Sequence, residues 1–246
     1  VLDHPVGGAV VARCDALDGA ADGMIQDTDG CQEVFDFSRD VPTCEGTRTG
    51  DCLSAAQKVA IAPIFSGAVD GKGASFYAGF PFDGGHNSSD SRFWEFVAPV
   101  QFDAGATATI WGVPPKAPAG FNGPAYALQT PIDEMLRAVA ATDATYTESA
   151  LSFMLPVQPA NLSRLRDRGA KVIVYHGVSD PIFSVDDTAR WYRDLQAANG
   201  GDASAFARFF RVPGMSHCAG GPSTDQFDLL TPLVAWVERG ESPDRV

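Results

Sequence analysis

The sequence predicts an α/β fold: part of a parallel sheet with its helices, joined to a large irregular insertion. Three observations carry this. From about residue 169 onward, apolar β-rich runs alternate with amphipathic helical runs across short connections. An aspartate follows the first of these runs and a histidine follows the second, so both fall at one edge of the same sheet. Residues 1–168 show no such alternation. They are rich in glycine, proline and polar turn residues, and read as an insertion covering a site that the tail helps to build.

Taken in order, the first segment opens on a helical run from Val6 to Leu17. Residue 1 is not methionine, and the chain reads as a mature or truncated product. Short helices are expected at about Ser54 to Phe65 and Pro131 to Ala140. In the tail, Lys171 to His176 is a continuous apolar run, as expected of a strand buried on both faces. A helix from Asp186 to Ala198 follows, with Ser184 or Asp186 able to cap it and Asn199-Gly200-Gly201 ending it. Ala207 to Val212 is a second strand, stopped by Pro213-Gly214. Thr224 to Arg239 completes the β-α-β-α order as an amphipathic helix, with Phe227, Leu230, Leu233, Val234 and Val237 on one side. The organisation expected is thus residues 1–168 as one domain and 169–246 as the other.

With 246 residues, the chain is long enough for a substantial core. No apolar run approaches the ~18 residues of a membrane span. Eighteen lysines and arginines against 31 acids give a formal charge of −13, which argues against a nucleic-acid partner and favours neutral or cationic ones. Cys14, Cys31, Cys44 and Cys52 are spaced 17, 13 and 8 apart, unlike the tight pairs of a zinc site. Two local disulfides, and hence a secreted or periplasmic protein, fit better, although the pairing itself stays open. Cys218 is left over.

The chemistry concentrates in two tail motifs, His176-Gly177-Val178-Ser179-Asp180-Pro181 and Gly214-Met215-Ser216-His217-Cys218. An imidazole held by a carboxylate at one nitrogen can take a hydroxyl proton at the other, so Asp180 and His217 are the candidate acid and base of a triad. The blander alternative is a turn aspartate beside a loop histidine. His176 ends its strand and reads as structural. Acid before histidine is also the order of the last two triad members in an α/β-hydrolase. No serine completes the set: Ser66, Ser179 and Ser216 lie near glycines, but none stands in G-x-S-x-G between a strand and a helix. The nucleophile is therefore expected upstream of these residues. A second cluster is the acidic loop from Cys14 to Ile25. Asp15, Asp18 and Asp22, with main-chain oxygens at about Ala20 and Met24, would suit a hard cation, although the loop is not an EF-hand.

Together these residues resemble the tannase and feruloyl esterase family of secreted α/β-hydrolases, over nearly the whole chain. The resemblance implies that the chain is the C-terminal part of an α/β-hydrolase sheet plus a large lid, 1–168 being the lid and 169–246 the core part. It implies a serine esterase of aromatic-acid esters (feruloyl, galloyl or terephthalate monoester), with Asp180 and His217 in the triad. It implies that Asp15, Asp18, Ala20, Asp22 and Met24 bind structural Ca²⁺, inside a Cys14–Cys31 bridge and near a Cys44–Cys52 bridge. Family members carry a Cys-Ser pair at the nucleophile and bridge that cysteine to the one after the histidine. Cys218 is thus expected to tether an N-terminal half bearing the serine, and this chain alone is expected to be inactive. Among the aromatics of residues 93–126, Trp94 and Trp111 are the candidates for substrate contact, though each is more readily explained as lid core. The reading from another class is a non-catalytic calcium-binding module, which would have no use for an Asp180–His217 pair.

Overall fold

The computed structural model describes residues 4–46, 50–116 and 119–245. The chain forms two compact units, one from residues 1–68, 77–92 and 160–246, the other from residues 69–76 and 93–159. The first unit joins segments from both sides of residue 168. The change of texture at that point in the sequence does not reveal this, because the joining contacts are long-range.

In chain order, α1 (His4–Cys14) is followed by a 3-10 turn, Asp15–Asp18, then α2 (Thr28–Val34), α3 (Phe37–Asp40) and α4 (Ala55–Ser66). Val6, Val10 and Cys14 recur every fourth residue and form the buried stripe of α1. They pack with Ile25, Cys31, Phe35, Val41, Leu53 and Ile61 in one core. Cys14–Cys31 and Cys44–Cys52 are both disulfide-bonded. The sequence suggested helix to Leu17, but the α-helix stops at Cys14. There the chain is tied to Cys31, and Asp15 turns its carboxylate onto the amides of Asp22 and Gly23. Gly19, at φ 93°, closes the following turn in the left-handed region that favours glycine. Ser54 and Gln57 form a reciprocal capping box at the start of α4.

Strands β1 (Ala68–Val69) and β2 (Ser75–Tyr77) pair in a small sheet. Helices α5 (Ser89–Phe96), α6 (Ala104–Ala106), α7 (Gly123–Gln129), α8 (Ile132–Ala140) and α9 (Ala150–Met154) come next, with π-helical turns at Pro99–Asp103 and Thr107–Trp111. Within the second unit the Gly71 amide donates to Asp133 of α8 at 2.8 Å, and Lys116 pairs with Glu134 at 2.6 Å.

The tail runs α10 (Ser163–Asp167), β3 (Val172–Gly177), α11 (Val185–Ala198), β4 (Ala207–Val212) and α12 (Leu230–Arg239). β3 and β4 are parallel, in register from Val172 opposite Ala207 to Gly177 opposite Val212. Ser184 caps α11 by accepting from the Asp186 amide, which settles the choice between the two capping residues. Leu195, Ala203, Phe206 and Ala207 form the buried centre beneath, flanked by Trp191 and Tyr192.

Two expectations are corrected here. β3 is only half-buried and Tyr175 is exposed, because among the described residues β3 pairs on one side only, in a two-stranded sheet. The last helix starts at Leu230 rather than Thr224. The Asp228 carboxylate accepts from the amides of Leu230 and Thr231, a capping arrangement that sets the start there. Its apolar side is also less covered than the pattern suggests. Ala235 and Trp236 are buried, whereas Leu230, Val234 and Val237 are exposed.

Candidate active site

The β3–β4 pairing continues beyond the strands and places the site. The Val178 amide donates to the Val212 carbonyl at 2.9 Å, and the Ser179 amide to the Met215 carbonyl at 3.1 Å. The loops carrying Asp180 and His217 are thereby zipped together before either functional side chain is reached. Gly177 is required at their closest approach: a Cβ there would stand 2.2 Å from the Met215 carbonyl oxygen and 2.7 Å from that of Ser216.

At the end of this zip, His217 Nδ1 lies 2.9 Å from Asp180 Oδ2. Asp180 is buried, and both its oxygens are saturated. Oδ1 accepts from the amides of Ile182 (2.8 Å) and Phe183 (3.0 Å), and Oδ2 faces His217 and, at 3.2 Å, His176 Nε2. Burial pushes this carboxyl up. The hydrogen bonds from His176, the Phe183 amide, His217 and the Ile182 amide outweigh burial and hold it at about 2. Asp180 is therefore an anion at neutral pH. An anion can only accept, so His217 donates from Nδ1 and its neutral form keeps a lone pair on Nε2. The residues around the pair, including Tyr175, Phe183, Met215 and Cys218, line an open cleft of about 300 Å³.

His176, which reads from the sequence as structural, is part of this arrangement. Its Nε2 also lies 2.9 Å from the Phe183 carbonyl, and its Nδ1 lies 2.8 Å from the Thr188 hydroxyl. Because both partners of Nε2 are acceptors, the proton sits there and Thr188 donates to Nδ1. The available signal was its position, four residues before Asp180 at the end of the same strand.

Among the described residues, no serine is hydrogen-bonded to His217 as a nucleophile. Ser179 donates to Asp83 at 2.5 Å, Ser184 donates to the Gly79 carbonyl at 2.5 Å, and Ser216 is buried with its hydroxyl unpartnered. Among the described residues, the hydrogen bonds of the His217 ring run to Asp180 alone. Cys218 is exposed and free, at φ 65°.

In the acidic loop, Asp15 Oδ1 accepts from the amides of Asp22 (3.2 Å) and Gly23 (2.9 Å). Asp18 accepts from Ala20 and Gln26 at 2.9 Å each, and these two amides hold its carboxyl below the usual range. Asp22 accepts from the Met24 amide at 3.0 Å. The donor chemistry, carboxylates and carbonyls within one disulfide-closed loop, fits a hard cation. No three metal-ligating side chains converge among the described residues, so a cation would share these oxygens with the loop's own amides.

Trp94 and Trp111 both lie in the second unit. Trp94 is half-buried and packs edge-on against Phe93, with centroids 5.1 Å apart. Trp111 is exposed and lines a cavity of about 400 Å³ with Ile110, Tyr146, Phe153 and Met154.

Residues 4–246 match the sequence profile described as "Tannase and feruloyl esterase". The chain is 38% identical to the mono(2-hydroxyethyl) terephthalate hydrolase of Piscinibacter sakaiensis, over 99% of this chain and 44% of that protein. It is 27% identical to feruloyl esterase B of Aspergillus niger, over 96% and 44% respectively. Among solved structures, feruloyl esterase B of Aspergillus oryzae superposes with a TM-score of 0.67 at 24% identity, covering 99% of this chain and 48% of that one. The tannin acyl hydrolase of Aspergillus niger does so at 0.59 and 21%, covering 98% and 46%. The α/β-hydrolase-type fold expected from the sequence is the one shared with these structures, and the chain spans under half the length of each. With its profile match extending over nearly every residue, the chain belongs to the tannase and feruloyl esterase family.

Proposed function

We propose that this chain supplies the base and the acid of a Ser-His-Asp triad in a carboxylic ester hydrolase of aromatic-acid esters. The single observation that carries the reading is the buried, ionised Asp180 bonded to a His217 whose second nitrogen is open to a cleft. The relatives named for feruloyl and terephthalate esters support the substrate class.

The serine lies in the rest of the protein. His217 Nε2 removes its hydroxyl proton as the oxygen attacks the ester carbonyl, and the imidazolium so formed is stabilised by Asp180. The same proton then passes to the departing alcohol oxygen. Water, deprotonated by His217 in turn, cleaves the acyl-enzyme and frees the acid. Trp94 and Trp111 are the aromatic candidates for holding the planar acyl group. Cys218, exposed while the other four cysteines are paired, bridges to a cysteine beside that serine. The two disulfides suit a secreted or periplasmic protein, and no helix among the described residues is long and apolar enough to cross a membrane. Asp15, Asp18 and Asp22, with the carbonyls of Ala20 and Met24, would hold Ca²⁺, which when bound would supply a structural brace to the loop.

In the protein joined to its serine-bearing part, His217→Ala is expected to lower ester cleavage by about 10⁴-fold. Undiminished turnover, or turnover by residues 1–246 alone, would overturn the assignment. Intact mass with and without reductant tests Cys218: the bridge predicts a larger species that releases this chain on reduction, and the same mass in both samples rejects it. For the metal, calcium at about 100 times its Kd should add roughly 2.7 kcal/mol, or about 5–10 °C in Tm, over a chelated sample. Asp18→Asn should lose that shift, and equal Tm values in both samples refute the site. For pH, Asp180 has its folded pKa depressed, so its stabilisation is complete above the unfolded value near 4 and disappears as pH falls towards 2. Urea titrations should therefore give a wild-type advantage over Asp180→Asn that shrinks by about 2 kcal/mol between pH 5 and pH 2. A pH-independent difference would contradict the depressed carboxyl.

A further inference from the structure

The geometry points to Asp83 as the positioning residue that sets the Asp180–His217 pair, by pinning the loop of the acid to the loop of the histidine. The inference rests on the proposed base and acid roles of that pair and adds a third segment, remote from both in sequence.

Asp83 is fully buried, a costly place for a carboxylate unless donors surround it. Three do, all on one oxygen. Asp83 Oδ1 accepts from the Ser179 hydroxyl at 2.5 Å, the Gly214 amide at 3.1 Å and the Gly85 amide at 3.0 Å. Ser179 immediately precedes Asp180, and Gly214 stands three residues before His217. One oxygen therefore bridges the two catalytic loops and ties both to a turn of its own, the 3-10 segment Gly84–Asn87.

Packing repeats the arrangement. A Cβ on Gly85 would stand 2.5 Å from both the Gly214 carbonyl oxygen and the Ser179 hydroxyl oxygen, so this turn is wedged between the loops with no space for a methyl group. On the other side, a Cβ on Gly84 would meet a Val11 methyl of α1 at 2.8 Å. The wedge thus rests on α1 at Val11 and holds the two loops at fixed separation. Among the described residues Asp83 Oδ2 has no partner, so the bridge needs one acceptor oxygen rather than a charge. Asparagine can supply that oxygen and leucine, of similar size, cannot.

The readout is the His217 tautomer, taken from ring ¹⁵N shifts of histidine-labelled protein above the imidazole titration and assigned with His217→Gln. Wild type and Asp83→Asn are expected to hold the Nδ1–H form that donates to Asp180. Asp83→Leu is expected to lose it, drifting towards the Nε2–H form that free imidazole side chains prefer. Gly85→Ala, which forces the loops apart while keeping Asp83, should do the same if the leucine variant does not fold. Folded Asp83→Leu or Gly85→Ala protein with the Nδ1–H form intact would overturn the positioning role. A wild-type ring that is not Nδ1–H would instead overturn the Asp180–His217 reading on which it rests. A merely stabilising role would instead lower the Tm of Asp83→Leu and leave its Nδ1–H form intact.

Discussion

The parallel pairing of β3 with β4 is the constraint on which the site depends. Its register places Gly177 opposite Val212, and two further backbone bonds carry the alignment into the loops as far as Ser179 and Met215. From there Asp180 is one residue away and His217 two. Main-chain geometry thus brings Asp180 and His217 within reach of their 2.9 Å contact, and the bridge proposed for Asp83 holds the two loops there. Glycine at 177 is the local condition, since any Cβ would collide with the Met215 carbonyl that receives the Ser179 amide.

Around that register the protein surrounds the buried Asp180 carboxylate with donors. A carboxylate has about four good acceptor positions, and Asp180 has four donors, two amides and two imidazoles. Full satisfaction is what lets an ionised group stay buried. It also explains why Asp180 needs no lysine or arginine partner in a chain whose formal charge is −13.

Much of this was legible in the sequence where the signal is local. Ala207–Val212 is a strand with the bounds its apolar run suggests, and α11 and α4 lie within a residue or two of their predicted ranges. Capping and alternation act over a few residues, so a window of sequence contains their cause. The Asp180–His217 pair was legible because each residue lies in the short loop just past a strand, three residues beyond β3 and five beyond β4. Asp83 was not, because Asp83-Gly84-Gly85 reads as an ordinary turn and its partners lie 96 and 131 residues away. The joining of residues 1–68 and 77–92 to the tail was hidden for the same reason. The start of α12 was misread because apolar spacing extends back to Phe227, whereas the cap at Asp228 decides where the helix begins. The acidic loop lies between these cases. Its carboxylates are where the spacing put them, but they are turned onto the loop's own amides, a competition that composition cannot reveal.

Two imidazoles on one carboxylate raise the question of which could act as the base, and hydrogen-bond accounting answers it. His176 has neither nitrogen to spare: Nε2 donates to Asp180 and the Phe183 carbonyl, and Nδ1 accepts from Thr188. Both nitrogens are thus already engaged by protein partners, and neither is left to face a substrate hydroxyl. Among the described residues His217 is bonded at Nδ1 only, is one-third exposed, and like His176 borders the cleft. Its Nε2 can gain a proton without breaking an existing bond, and the positive charge so created falls 2.9 Å from the anion. His176 therefore orients the carboxylate, and the carboxylate orients His217. In the proposed triad, proton transfer therefore falls to His217 Nε2, the nitrogen bonded to no other described residue.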